Sequence, residues 1–249
     1  MATALITGAS SGIGAATAQL FALKNYDLLL LGRNLERLKA TQVKCLNLNS
    51  QIKVEILSLD LKNYVSSTVL EKIKFLSPVE ILVNNAGLYI NQSFEKTSDQ
   101  IWEEQFQVNL MGAIKLTRDL WPLFKKNNKG SILNVSSTLG LKPAQNTSAY
   151  SAIKAAMINW TLTLAQEGGQ YNIRANCVCP GIVDTPIHQF HTLPSAEKSD
   201  IEKSLAQLQL LSKLGTPEQV AESIYFLASD LSAWTTGAVL SIDGGINIK

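Results

Sequence analysis

Two hydrophobic rhythms alternate along the chain. Short apolar runs predict strands at Ala2–Thr7, Leu28–Leu31, Val54–Ser58, Val79–Val83, Ser131–Val135, Ile173–Val178 and Ala238–Ile242. Between them apolar residues return at helical spacing. This predicts helices over Ile13–Leu23, from about Glu36, and over Val65–Leu76, Gln100–Lys125, Tyr150–Glu167 and Pro217–Ala228. Strands that alternate with helices pair in parallel, so the expected fold is a doubly wound α/β sheet. Phe190 to Leu211 is less regular, with Pro194 and mixed polarity, and reads as a mobile flap over about 186–212 rather than a linker. No repeat, low-complexity tract or linker divides residues 1–249, which predicts one domain.

The chemistry-bearing residues fall where predicted strands end. The first strand runs into Thr7-Gly8-Ala9-Ser10-Ser11-Gly12-Ile13-Gly14 and then a helix. Strand, glycine loop and helix form the context of a dinucleotide fingerprint, although the T-G-x-x-x-G-x-G spacing has one longer gap than G-x-G-x-x-G. Such glycines permit a tight turn and let backbone N–H groups approach a pyrophosphate at the helix N-terminus. The second strand ends at Gly32-Arg33-Asn34, with no acid to accept a ribose 2′-hydroxyl. Arg33 suits a 2′-phosphate instead, which favours NADP(H) over NAD(H). Ser10, Ser11 and Asn34 are candidates for further contacts. The third strand leads into Asp60-Leu61, where the carboxylate either accepts from an adenine amino group or caps the next helix. The fourth ends at Asn84-Asn85-Ala86-Gly87, small and polar where a cofactor would cross the sheet edge.

Three further features concern reaction chemistry. Asn109 lies mid-helix in an apolar stretch, where an amide must find partners. The fifth strand ends in Ser136-Ser137, and the sixth in Pro180-Gly181-Ile182-Val183-Asp184-Thr185. Tyr150 and Lys154, four residues apart, share a helix face. A nearby ammonium favours phenolate, so the expectation is a tyrosine with a lowered pKa acting as general acid/base on an alcohol or carbonyl.

Composition removes several function classes. Apolar residues at 46% and charged residues at 17% supply a core and argue against disorder. A net charge of +2 without a dense basic block gives no case for nucleic acid; Lys125-Lys126-Asn127-Asn128-Lys129 reads as a solvated helix end. Three cysteines without C-x-x-C spacing suggest a reducing compartment and no metal, and Cys177 and Cys179 share one strand face. No basic leader precedes the first strand, and no apolar run approaches the roughly 18 residues of a membrane span. The expectation is a cytoplasmic protein.

Taken together, Thr7-Gly8-x-x-x-Gly12-x-Gly14, Asp60, Asn84-Asn85-Ala86-Gly87, Asn109, Ser137, Tyr150-x-x-x-Lys154 and Pro180-Gly181 resemble the short-chain dehydrogenase/reductase family of about 250 residues, over essentially the whole chain. The resemblance implies a Rossmann-like sheet of about seven strands, hydride transfer with a nicotinamide cofactor, and a carbonyl or alcohol substrate over the C-terminal strand ends. By the same match Tyr150 is the acid/base, and Lys154 lowers its pKa and binds the nicotinamide ribose. Ser137 polarises the substrate oxygen, with Ser136 less suited on spacing, and Asn109 holds a water in the proton relay. Asp60 and Leu61 would meet the adenine, with Asn84 and Ala86 at its ribose. The Val183 backbone and Thr185 hydroxyl would grip the carboxamide. The family expectation for assembly is a homo-oligomer, tetramer or dimer, through the two long helices and the C-terminal strand. His188 and His191 fall on no motif position; Leu141, Pro143, Gln145, Phe190 and Leu193 would shape the substrate pocket. Two other readings stand beside this one. A dinucleotide-binding regulatory protein without catalysis conflicts with the presence of both Tyr150 and Lys154. A nucleotide-sugar epimerase needs more chain after the sixth strand.

Overall fold

Seven parallel strands form one sheet in the computed structural model, which describes residues 1–74, 76, 78–188 and 195–249. They are β1 (Thr3–Thr7), β2 (Asp27–Gly32), β3 (Val54–Ser58), β4 (Val79–Asn84), β5 (Gly130–Val135), β6 (Ile173–Pro180) and β7 (Val239–Ile242), in the order β3-β2-β1-β4-β5-β6-β7. Neighbours are parallel throughout. The order reverses between β1 and β4, the switch point at which open α/β sheets bind ligands.

The central strands are apolar on both faces because helices cover both. In β1, Ala4 and Ile6 face one core cluster and Leu5 the other; in β2, Leu28 and Leu30 oppose Leu29 and Leu31 in the same way. The first cluster is closed by α1 (Gly12–Leu23), α2 (Leu35–Leu48) and α8 (Pro217–Ala228), through Phe21, Leu38, Cys45, Ile224 and Leu227. The second is closed by α3 (Ser66–Ile73), α5 (Gly112–Asn127) and α6 (Ser148–Gly168), through Val69, Leu116, Leu120, Phe124 and Leu164. Pro217 occupies the first turn of α8, and Thr216 and Gln219 form a reciprocal capping box there.

The helical run expected over Gln100–Lys125 is present but not uniform. It consists of α4 (Asp99–Phe106), a π-helical turn over Gln107–Met111, and α5. The wider turn is closed by a bond from Gly112 N–H to the Gln107 carbonyl, and it carries Asn109. Gly112 is required here, because a Cβ would lie 2.6 Å from Cβ of Leu61.

The expected irregular flap is corrected over its second half. Ser195–Gln207 is a regular helix, α7, whose polar, charged composition hides the helical period that a buried face would show. The expected pocket residues Phe190 and Leu193, with His191 and Pro194, lie outside the described residues. The same holds for the side chain of His188. Among the described residues no helix is long and apolar enough to cross a membrane.

Candidate active site

The glycine loop between β1 and α1 is shaped for an anion. Gly8 and Gly12 have φ of +67° and +52°, a region costly for other residues. A Cβ on Gly14 would lie 2.4 Å from the Gly8 carbonyl oxygen and 2.5 Å from Nδ2 of Asn85. The N-cap residue Ser11 makes no side-chain capping bond to α1, which suits the first-turn N–H groups around Ser11, Gly12 and Ile13 to an anion. Asn85 and Thr7 hold this loop against the end of β4. Asn85 Nδ2 donates to the Thr7 carbonyl at 3.0 Å, and the N–H groups of Asn85 and Ala86 donate to Thr7 Oγ1 at 3.0 Å each. Both residues belong to the sequence motifs, but this bonding role needs β1 and β4 to be neighbours.

At the end of β2, Arg33 is exposed, and Ser10 lies against Gly32. The Asn34 side chain is already used: its Oδ1 accepts from Arg37 N–H at 2.9 Å and caps α2. Asp60 likewise takes the capping alternative, with Oδ1 accepting from Lys62 N–H at 3.0 Å over a single 3-10 turn. Leu61 is buried against Gly112. Asn84 differs from expectation. Its Nδ2 donates to Asn134 Oδ1 at 2.8 Å and to Thr117 Oγ1 at 3.1 Å, so the amide nitrogen is committed to the core. Gly87 does approach the reaction centre: a Cβ there would lie 2.9 Å from Asn109 Oδ1 and 3.8 Å from Lys154 Nζ.

Four predicted residues meet where β5 hands over to α6. The buried stripe of α6 is Tyr150, Ile153, Lys154, Met157, Thr161 and Leu164, so the tyrosine–lysine pair faces inward with one helical repeat. The apolar residues Ala152, Ala155, Ala156 and Leu162 lie on the exposed side of the same helix. Lys154 Nζ donates to the Val135 carbonyl at 2.8 Å and stands 5.6 Å from the Tyr150 ring centroid. Ser136 is spent on structure, donating to the Lys154 carbonyl at 2.8 Å. Ser137 Oγ accepts from Leu139 N–H at 3.1 Å, and the Ser137 side chain also acts on the Tyr150 phenol. Both ends of the Asn109 amide bond the segment after β4: Oδ1 accepts from Leu88 N–H at 2.7 Å and Nδ2 donates to the Leu88 carbonyl at 3.0 Å.

The electrostatics reverse one expectation. Burial pushes the Tyr150 phenol above the ordinary tyrosine value; Ser137 pulls it back in part, and Tyr89 adds to the rise. Burial also lowers the Lys154 ammonium to about 8, against small opposing effects of the Cys177 and Cys179 thiols. Desolvation disfavours both charged forms and outweighs the attraction expected between them. Tyr150 therefore keeps its proton, the form a donor needs. Cys177 and Cys179 are buried free thiols.

After β6, Val183 bridges to Gly215, and Thr185 Oγ1 donates to the Val183 carbonyl at 3.4 Å. A Cβ on Gly12 would lie 3.1 Å from Thr185 Cγ2, so the glycine loop and the Pro180–Thr185 segment face each other. A Cβ on Gly181 would lie 2.8 Å from Cα of Asp243. The uncapped helix end, the glycine cradle and the exposed Arg33 fit a nicotinamide dinucleotide stretched across the switch point.

A doubly wound sheet with a dinucleotide cradle on one side of its switch point and a buried tyrosine, lysine and serine on the other defines a nicotinamide-dependent oxidoreductase. The family model for short chain dehydrogenases matches residues 2–194, and the chain belongs to that family, whose members act on carbonyl and alcohol groups. It is 34% identical to the 3-oxoacyl-[acyl-carrier-protein] reductase of Thermotoga maritima, over 98% of this chain and 97% of that one. It is also 34% identical to the acetoacetyl-CoA reductase of Rhizobium meliloti, over 97% of each. Among solved structures, L-sorbose reductase from Gluconobacter frateurii, complexed with NADPH and L-sorbose, superposes with a TM-score of 0.92 at 27% identity, covering 100% of this chain and 97% of the other. The protein is thus an oxidoreductase acting on a carbonyl or alcohol.

Proposed function

We propose that the protein reduces a ketone with NADPH, that Tyr150, Ser137, Lys154 and Asn109 are its reaction machinery, and that 3-oxoacyl thioesters are its substrate class. The observation that carries this reading is the buried Tyr150 with Lys154 over its ring and Ser137 beside it, at the C-terminal edge of the sheet. The substrate class rests on the similarity to a 3-oxoacyl reductase and an acetoacetyl-CoA reductase, the cofactor preference on Arg33 at the end of β2.

In this reading the cofactor, when bound, supplies the hydride to the carbonyl carbon. The Ser137 and Tyr150 hydroxyls bind the carbonyl oxygen, and Tyr150 gives up its proton as alkoxide character develops there. Lys154 holds the ribose next to the nicotinamide, and its charge favours the phenolate that Tyr150 becomes. Asn109 fixes Leu88 and leads reprotonation through a bound water. Gly8, Ser10, Ser11, Gly12, Ile13 and Gly14 cradle the pyrophosphate and adjoining ribose. Asp60, Leu61, Asn84, Ala86 and Gly87 border the adenosine and nicotinamide halves, Asn84 through its backbone. Pro180, Gly181, Val183 and Thr185 close over the carboxamide.

Assembly belongs to the same reading. The outward face of α6 carries Ala152, Ala155, Ala156 and Leu162, and Leu231, Trp234 and Leu240 are exposed beside β7. These apolar residues support a homo-oligomer, dimer or tetramer, and a cytoplasmic enzyme is the companion proposal. The decisive assay follows NADPH and NADH absorbance with acetoacetyl-CoA, a small β-diketone and a ketose. Oxidation of NADPH by the thioester at the highest kcat/KM is expected. A ketose or β-diketone preferred over the thioester by about tenfold in kcat/KM would overturn the substrate class.

A further inference from the structure

The segment after β4 is fastened at alternate residues. Leu88 is held by the Asn109 amide at 2.7 and 3.0 Å, Ile90 N–H donates to Gln105 Oε1 at 3.4 Å, and Gln92 N–H donates to the Asn146 carbonyl at 2.9 Å. Gln105 and Asn109 are fully buried, so two polar side chains of the α4 region are spent on the backbone of one short loop. The residue this anchoring presents is Tyr89. Its ring meets that of Tyr150 edge to face, centroids 4.9 Å apart at 78°, and its hydroxyl accepts from Asn91 Nδ2 at 2.8 Å. Tyr89 is only half-buried, whereas Tyr150 is 8% exposed: the outer ring covers the inner one.

We propose that Tyr89 is a positioning residue of the active site, holding the Tyr150 ring against Lys154 and keeping water from its hydroxyl. The inference rests on Tyr150 as proton donor. Two sides of the Tyr150 ring are then accounted for, with Lys154 Nζ 5.6 Å from its centroid and Tyr89 packed against it. An edge-to-face pair of this kind contributes about 0.5–1.5 kcal/mol beyond area burial. Such an energy restricts one rotamer among the few staggered alternatives. Because the contact is ring to ring, a phenylalanine serves as well as a tyrosine, and a small side chain does not.

The groups facing Tyr150 are Lys154 on its own helix, Ser137 at the end of β5 and Tyr89; Cys177 and Cys179 of β6 act on Lys154. Burial is the largest cause of the raised Tyr150 value, and Tyr89 adds to it directly. Uncovering the phenol therefore moves its titration down.

The test compares Tyr89→Ala, Tyr89→Phe and Gln105→Leu with wild type, using NADPH and the preferred carbonyl across alkaline pH. Tyr89→Ala is expected to lower kcat about tenfold, with the KM for NADPH unchanged. The alkaline limb of its kcat profile moves to lower pH. Tyr89→Phe keeps the covering ring and loses only the lesser effect of the Tyr89 phenol, so its limb stays close to wild type, and Gln105→Leu, which only loosens the loop, shifts it part of the way. Circular dichroism and NADPH binding verify folding. Wild-type kcat and limb in a folded Tyr89→Ala overturn the proposal, and so does a Tyr89→Phe as impaired as the alanine variant. Persistent turnover by Tyr150→Phe would instead remove the parent reading.

Discussion

Lys154 lies over the ring of Tyr150, its Nζ 5.6 Å from the centroid, while donating to the Val135 carbonyl at 2.8 Å. The ammonium is fully buried with a neutral partner, and burial lowers its pKa to about 8 from 10.5. Between those values the unfolded chain binds a proton that the native protein does not. The Lys154 contribution to stability therefore rises as pH goes from about 8 towards 10, by at most about 1.4 kcal/mol per pH unit. Above the ordinary tyrosine value the raised Tyr150 pKa acts oppositely: the unfolded phenol ionises while the native one does not, and stability falls. Burial raises the Cys45 and Cys179 thiols above their ordinary value, and this opposes the rise from about pH 9. The Lys154 contribution is therefore read as the difference between wild type and Lys154→Met in denaturant unfolding from pH 7 to 11. Lys154→Met removes the rise, and an unchanged slope in that variant would assign the effect to another group.

Tyr150→Phe removes the donated proton without changing the ring packing against Tyr89. A kcat loss of about 10²- to 10⁴-fold is expected, with NADPH binding preserved. Ser137→Ala is expected to follow in direction. Ser136→Ala acts differently, because its hydroxyl serves the Lys154 carbonyl; thermal stability falls there before turnover does.

Arg33 is exposed at the end of β2, and no acid precedes it on the strand's C-terminal side. Arg33→Ala is expected to raise the KM for NADPH about tenfold or more, the scale of a lost charge-assisted contact, with little effect on NADH. Equal losses for both cofactors would take the 2′-phosphate role away from Arg33.

Gly14→Ala tests the cradle. The added methyl meets the Gly8 carbonyl oxygen at 2.4 Å and Asn85 Nδ2 at 2.5 Å, backbone and a half-buried amide that hold β1 to β4. Overpacking of this kind costs about 1–3 kcal/mol. A lower melting temperature and weaker NADPH binding are expected together in calorimetry and fluorescence titration.

Asn109→Ala strands the Leu88 N–H and carbonyl, each costing about 1–3 kcal/mol if left unpaired. Because Leu88 precedes Tyr89, lower stability and lower kcat are both expected. Asn109→Asp keeps the acceptor for Leu88 N–H and is expected to retain more of both in the same assays.

Much of the architecture was legible in the chain because it depends on neighbours in sequence. Apolar runs ending in Thr7, Gly32, Ser58, Asn84, Val135 and Pro180 mark strands whose C-terminal ends carry the polar residues, and a parallel sheet brings those ends to one edge. The spacing of Tyr150 and Lys154 alone places both on one face of α6. What sequence could not assign were residues whose role depends on a partner far along the chain. Asn84 and Asn85 look equivalent, yet one is paired with Asn134 and Thr117 in the core while the other ties the glycine loop. Arg174 gave no signal either, although it braces the end of α8 and the chain after it with bonds to the carbonyls of Leu227, Ala228, Ser229 and Thr235.

The sequence by itself determined the sheet, the glycine cradle and the tyrosine–lysine pair, because each follows from local periodicity or from short spacing along one element. Only the tertiary structure decided the protonation of that pair and the identity of its neighbours. Desolvation is set by everything packed around a group, and so Tyr150 is held neutral, Lys154 is lowered, and Tyr89 covers the phenol from another strand's end.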